Sequence, residues 1–367
     1  MTNLSIRQII QAIEEFAPTA LQENYDNCGL QIGDPEAMTS GVLLSIDVTE
    51  EVVEEAINKN INLIIAHHPL LFKGVKSITG STCVERIIIK AIQHQVAIYA
   101  SHTCMDNVRE GVNQKIAQKI GLEDTTVLDP VSDKLLKLRV YVPIDYASEI
   151  RTALFSAGIG HIGKYDHCSF NAEGEGSFKA GETCSPFRGK IGQLHYEKET
   201  CIETVLPAYL KTKAIQLLQK VHPYEEPAFD IISLQNQWEG AGSGLIGKLP
   251  SAMDERSFLQ HIKETFHLST LKHSPLHNRP IKTVALCGGA GAFLIKQAVN
   301  KGADIFLTGE IKYHDYLDYQ SQIVLSEIGH YESEQYTKEI FYDIITKKFP
   351  TFATYYSMVE TNPINYL

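Results

Sequence analysis

Hydrophobic residues recur along this chain with two spacings, and the switches between them mark its elements. Near the start, Ile6, Ile9, Ile10, Ile13 and Phe16 follow helical spacing, with Ser5 and Gln8 placed as a capping box. Short apolar runs then alternate with amphipathic stretches. Val42–Ile46, Leu63–Ala66 and Val96–Ala100 read as buried strands. Glu50–Lys59 and the stretch around Val84–His94 read as helices, as does Val108–Ile120, with Gly121 as its C-cap. In the last third, Thr283–Leu286, Ile305–Leu307 and Ile323–Ser326 read as strands separated by helical stretches. A long helix over roughly Glu332–Lys348 follows. Continuous apolar strands alternating with helices predict a sheet covered on both faces. Each end of the chain therefore reads as an α/β lobe.

The middle has a different rhythm. Leu138–Val142 reads as a strand and Tyr146–Ala157 as a helix, followed by polar, Gly-rich sequence through Ile159–Tyr165 and Gly174–Gly181. Cys201–Val205, Leu206–Val221 and Ala228–Ser233 then read as strand, helix and strand. This order suggests a small α+β module of ferredoxin-like type inserted between the lobes. His222-Pro-Tyr-Glu-Glu-Pro227 reads as a rigid turn before its last strand.

Composition narrows the class. The 367 residues suit two or three domains, and 44% hydrophobic with 21% charged residues is typical of a globular protein. Neither a signal peptide nor an apolar run approaching the ~20 residues of a membrane span is seen, so a cytoplasmic location is expected. The seven cysteines form no C-x-x-C pair, which fits reduced thiols better than a disulfide framework. A net charge of -11 argues against a nucleic-acid footprint.

The candidate chemistry lies where the apolar runs stop. Asn62-Leu-Ile-Ile-Ala66 ends at His67-His68-Pro69, and Val96-Ala-Ile-Tyr-Ala100 ends at Ser101-His102, with Asp106 four residues on. Ile323-Val-Leu-Ser326 leads to His330, with Glu334 beyond. Open α/β sheets bind ligands outside the carboxyl ends of their strands. Three strand ends delivering imidazoles and carboxylates to one edge make His67, His68, Asp106, His330 and Glu334 candidate metal ligands. Five such groups exceed the three protein ligands usual for one catalytic zinc and suffice for two ions bridged by a carboxylate. The mixed donors suit zinc, manganese, iron or cobalt. His102, Glu310 and His314 are candidates for proton transfer or for orienting ligands. Cys287-Gly-Gly-Ala-Gly291 admits two readings, an anion cradle or tight strand–helix packing. Asn24–Leu30 is polar and loop-like, and reads as a lining of the cleft.

These motifs, with Thr308-Gly-Glu310 and Gly329-His-Tyr-Glu-Ser-Glu334, resemble the Nif-three-like family, whose members are labelled GTP cyclohydrolase I type-two homologues. The resemblance spans almost the whole chain. It implies lobes over 1–130 and 241–367 that form one dinuclear metal-binding domain. It also implies a PII/CutA-like domain over 131–240 and assembly as a homohexameric ring. The five ligands carry over position by position. Cys104-Met105 departs from the Asn-Leu of many relatives, and Tyr313 stands where some have a second histidine. The implied activity is metal-dependent hydrolysis of a nucleotide or phosphorylated small molecule, GTP ring opening being the named candidate. The alternative is a regulatory or scaffold protein whose inserted domain senses a small molecule or mediates assembly.

Overall fold

The computed structural model describes residues 4–367 and divides into two compact units. One comprises residues 4–130 with 240–367, and the other is Val131–Glu239.

In the first unit, helix α1 (Ile6–Phe16) opens on the Ser5–Gln8 capping box. Strand β1 (Gly29–Ile32) and strand β2 (Val42–Ser45) follow, then helix α2 (Glu50–Asn58), strand β3 (Leu63–Ala66), helix α3 (Cys83–Gln93) and strand β4 (Ala97–Ala100). Strands β2, β3 and β4 are parallel and in register, while β1 runs antiparallel along β4. All twelve residues of these three strands are buried, because both faces are covered. Alternation sends Val42, Leu63, Ile65 and Tyr99 into the core with α1, and Leu43, Ile64 and Ile98 into the core with α2 and α3.

The helix expected over Val108–Ile120 is interrupted. A short α4 (Thr103–Asn107) ends before an extended turn, and α5 (Val112–Ile120) begins after Gly111. Val108 bridges to Ala241 and the Arg109 N–H bonds the Gly240 carbonyl, so tertiary pairing overrides local helical preference. A Cβ at Gly111 would collide with the Met105 carbonyl oxygen.

Strand β5 (Glu123–Val131) leads to the second unit, which holds β6 (Leu135–Pro143), α6 (Ala147–Ser156), β7 (Ser169–Lys179), β8 (Leu194–Pro207), α7 (Lys211–Val221) and β9 (Phe229–Leu234). Its antiparallel sheet has the order β7-β8-β6-β9, the arrangement of a split βαβ fold. The Gly-rich polar stretch contributes the eleven-residue strand β7, paired along its whole length with β8. Its side chains are mostly exposed on both faces, so no hydrophobic alternation marks it. Leu138, Val140, Ile150, Ile202 and Leu218 build a separate core here.

The chain returns through β10 (Trp238–Met253), α8 (Glu255–Thr265), β11 (Lys272–His273), β12 (Ile281–Cys287), α9 (Ile295–Asn300), β13 (Ile305–Thr308), α10 (Tyr313–Tyr319) and β14 (Val324–Glu327). Their sheet has the order β11-β14-β13-β12-β10-β5, with β12, β13 and β14 parallel. The long final helix is two helices, α11 (His330–Glu334) and α12 (Thr337–Lys348). The Thr337 hydroxyl donates to the Glu334 carbonyl at the break. Strand β15 (Thr354–Tyr356) then joins the first sheet beside β2. One core joins the two sheets, with residues from α1, α5, α8 and α12 packed among Val42, Leu63, Val284 and Ile305. Among the described residues no helix is long and apolar enough to cross a membrane.

Because the Val131–Glu239 core draws only on its own residues, this segment expressed alone should unfold in one cooperative transition. Leu138→Ala should destabilise it by about 2–5 kcal/mol, measured by denaturant melts followed by circular dichroism.

Candidate metal centre

The parallel strands of each sheet end at one edge, and their next residues face one another in the first unit. Beyond β3 come His67 and His68, beyond β4 His102 and then Asp106 on α4, and beyond β14 the helix α11 with His330 and Glu334. Gly329 takes a φ of 92°, turning the chain directly from strand to helix.

Glu334 is the hub. Its Oε2 lies 3.0 Å from His68 Nε2, 3.2 Å from His330 Nε2 and 3.7 Å from His67 Nε2. His67 Nε2 is also 3.7 Å from Asp106 Oδ1. Three donor groups have atoms within 4.8 Å of one another: His67/His68/His102, His68/His330/Glu334 and His67/Asp106/Glu334. The structure thus brings together all five proposed ligands. It adds His102, which the sequence had offered for proton transfer. Glu310 reaches the cluster through His330. His314 does not join it: it is exposed on α10, with its ring edge-on to Tyr313.

Each imidazole is held by its other nitrogen. His67 Nδ1 is 3.0 Å from the Ser101 carbonyl oxygen, and His68 Nδ1 is 2.8 Å from Asp47 Oδ1. His102 Nδ1 is 2.8 Å from Asp26 Oδ1, and His330 Nδ1 is 2.7 Å from Glu310 Oε1. A carbonyl only accepts, so His67 Nδ1 carries the proton and its Nε2 presents a lone pair inward. That Nε2 and Asp106 Oδ1 are buried with no hydrogen-bond partner. A lone pair facing two carboxylates is unfavourable unless a cation sits between them, so the donor set fits a divalent metal.

Titration follows from the same crowding. Burial opposes ionisation of Glu334, but the neighbouring imidazoles outweigh it and hold the carboxyl well below its usual range. Burial, then the Glu334 charge, pushes Asp106 up to about 7. Burial also opposes protonation of His68, yet hydrogen bonds to Asp47 and Glu334 raise it to about 10. The hydrogen bond to Glu334 raises His330 to about 9.

Asp26 and Asp47 were missed as supporting residues. Asp47 stands just past the apolar run of β2, so the strand-end signal that singled out His67 could have found it. Asp26 lies in the polar Asn24–Leu30 stretch and only the fold brings it to His102. The Cys287–Gly291 loop serves packing. The amides of Gly288, Gly289 and Gly291 are taken by Asn113, Ser333 and Thr308. Gly289 has a φ of 59°, and a Cβ there would collide with Glu334 Oε1. Above the cluster lies a cavity of about 450 Å³, with Tyr25, Phe72 and Phe293 among its lining residues and Glu23, Asn107 and Ser243 on its polar wall.

Wild-type protein should carry zinc, manganese, iron or cobalt by elemental analysis, and Glu334→Ala should abolish retention. Asp47→Asn, which keeps every direct donor, should weaken affinity 10- to 100-fold by competition with a chelator. In the metal-free protein, protonated His68 and His330 stabilise the fold fully below pH ~6.5, and that contribution fades as pH rises through 9–10. Metal displaces those protons, so calorimetric affinity should strengthen with rising pH over the same range, about tenfold per unit per displaced proton.

Residues 4–363 match the Duf34/NIF3 (NGG1p interacting factor 3) family. A Bacillus subtilis protein named GTP cyclohydrolase 1 type 2 homolog is 36% identical over 370 residues, covering 98% of each chain. A Halalkalibacterium halodurans protein of the same name is 41% identical over 307 residues, 83% of this chain and 82% of that one. The crystal structure of a Bacillus cereus protein related to NIF3 superposes with a TM-score of 0.87 at 36% identity, over 100% of both chains. With a family match along nearly its whole length and relatives that share more than a third of its residues, this chain belongs to the Duf34/NIF3 family.

Proposed function

We propose that the chain is a two-metal hydrolase of a nucleotide or another phosphorylated small molecule. The overlap of two donor groups at one carboxylate carries this reading: His68/His330/Glu334 and His67/Asp106/Glu334 each offer three protein donors and share Glu334. Two divalent ions held this way would supply Lewis-acid and water-activating chemistry, with zinc the first expectation. The chain's own residues do the rest. His102, fixed by Asp26, has the placement for proton transfer at the cavity floor. Glu310 acts through His330, whose ring it orients. The aromatic residues Tyr25, Phe72 and Phe293, all solvent-exposed, offer faces for a planar ring, and the cavity has room for a nucleoside. The name shared by the relatives makes GTP the first compound to test.

We further propose a homohexameric ring and a PII/CutA-like role for the second unit, supported by the family resemblance and by that unit's split βαβ strand order. Sedimentation should then give six times the 41.0 kDa chain mass.

The function is tested by incubating metal-loaded protein with GTP and a panel of phosphoesters, following products by chromatography and mass spectrometry. Turnover that disappears in Glu334→Ala is expected. Bound metal with no turnover across the panel would replace this reading with a regulatory or scaffold role.

A further inference from the structure

Directly behind His102, two thiols face each other. Cys28 Sγ lies 3.2 Å from Cys104 Sγ, and neither is part of a disulfide. Among the described residues no other two cysteines make a sulfur–sulfur contact. Cys28 is partly exposed, whereas Cys104 is buried. Both thiols are bonded into the scaffold of the metal cluster. Cys28 Sγ donates to Asp26 Oδ2 at 3.2 Å and accepts the His102 N–H at 3.3 Å. Cys104 sits on α4, two residues before Asp106, with its sulfur 3.2 Å from Ser101 Oγ. The Ser101 carbonyl in turn holds His67.

We propose that Cys28 and Cys104 form a modification site, a dithiol that low-molecular-weight disulfides oxidise and whose oxidation weakens metal binding. The inference rests on the metal centre and not on turnover. A disulfide needs the sulfurs at about 2.05 Å, so they must close by only about 1 Å. In the reaction the Cys28 sulfur attacks one sulfur of the reagent disulfide, forming a mixed disulfide and expelling one thiol. The Cys104 sulfur then attacks the Cys28 sulfur, forming the internal bond and expelling the second thiol. The protein gives up two electrons and two protons, and both appear in the two expelled thiols.

The consequence for the metal follows from the bonds lost. Oxidation removes the S–H that Cys28 donates to Asp26, the carboxylate that fixes His102. It also draws α4, and with it Asp106, toward the Asn24–Cys28 segment.

The test treats the full-length protein with glutathione disulfide at mildly alkaline pH. Tryptic mass spectrometry then reads the linkage, and calorimetry with zinc alone reads affinity before and after. We expect a Cys28–Cys104 linked peptide, a zinc affinity at least tenfold weaker, and recovery with dithiothreitol. Cys104→Ser should show neither the link nor the loss, and Cys28→Ala serves if that variant fails to fold. Adducts confined to the exposed Cys83 and Cys184 would overturn the site, and a link with unchanged affinity would overturn its coupling to the metal. Peptide mapping reads the thiols whether or not zinc binds, so failure of the metal centre is a separate result.

Discussion

A carboxylate as buried as Glu334 is stable in its ionised form only with positive charge or hydrogen-bond donors around it. The His68 and His330 rings, whose Nε2 atoms lie 3.0 Å and 3.2 Å from its Oε2, meet that need, and they come from both ends of the sequence. Much of the surrounding structure can be traced to this requirement. Gly289 leaves the space that Glu334 fills, and the Thr337 hydroxyl takes the carbonyl of Glu334 where α11 stops. The metal-free cluster holds protons where a bound cation would sit, which would tie metal binding to pH.

Orientation is built outward from the imidazoles. Asp47, which holds His68, accepts a second hydrogen bond from Thr361 at 2.8 Å. Asn362 bonds Glu332 at 3.1 Å, and Ser357 bonds Glu55. Residues 357–362 therefore link the Asp47 side of the centre to the helix that carries His330. On the other side, Asp26 gathers His102, the Thr103 amide and hydroxyl, and Cys28. Supporting bonds of this kind fix ring direction and tautomer and raise ligand basicity.

The sheets set the stage by geometry. Parallel strands place all their carboxyl ends on one edge, and burial on both faces fixes which residues can reach it. Short four-residue strands suffice because both faces are packed, and polar side chains begin as soon as the strand leaves the core. That edge also carries irregular backbone: the Gly329 turn, the break between α4 and α5, and Gly289 after β12.

The sequence by itself determined the mixed α/β character, six of the buried parallel strands, and five residues, Glu334 and four others, that the structure gathers into one cluster. These were legible because a buried strand is a continuous apolar run, and the first polar residue after it is conspicuous. The sequence also left the Cys287–Gly291 loop open between two readings, and only the packing of Gly289 against Glu334 with its occupied amides decided it. Tertiary structure alone decided where helices break, since Val108 gives up helix to pair with Ala241. It alone revealed β7, whose two polar faces carry no periodic signal. It brought Asp26, Asp47 and the Cys28–Cys104 pair to the histidines, and it left His314 outside. Contacts across tens or hundreds of residues depend on how sheets and helices pack, and local spacing does not encode that.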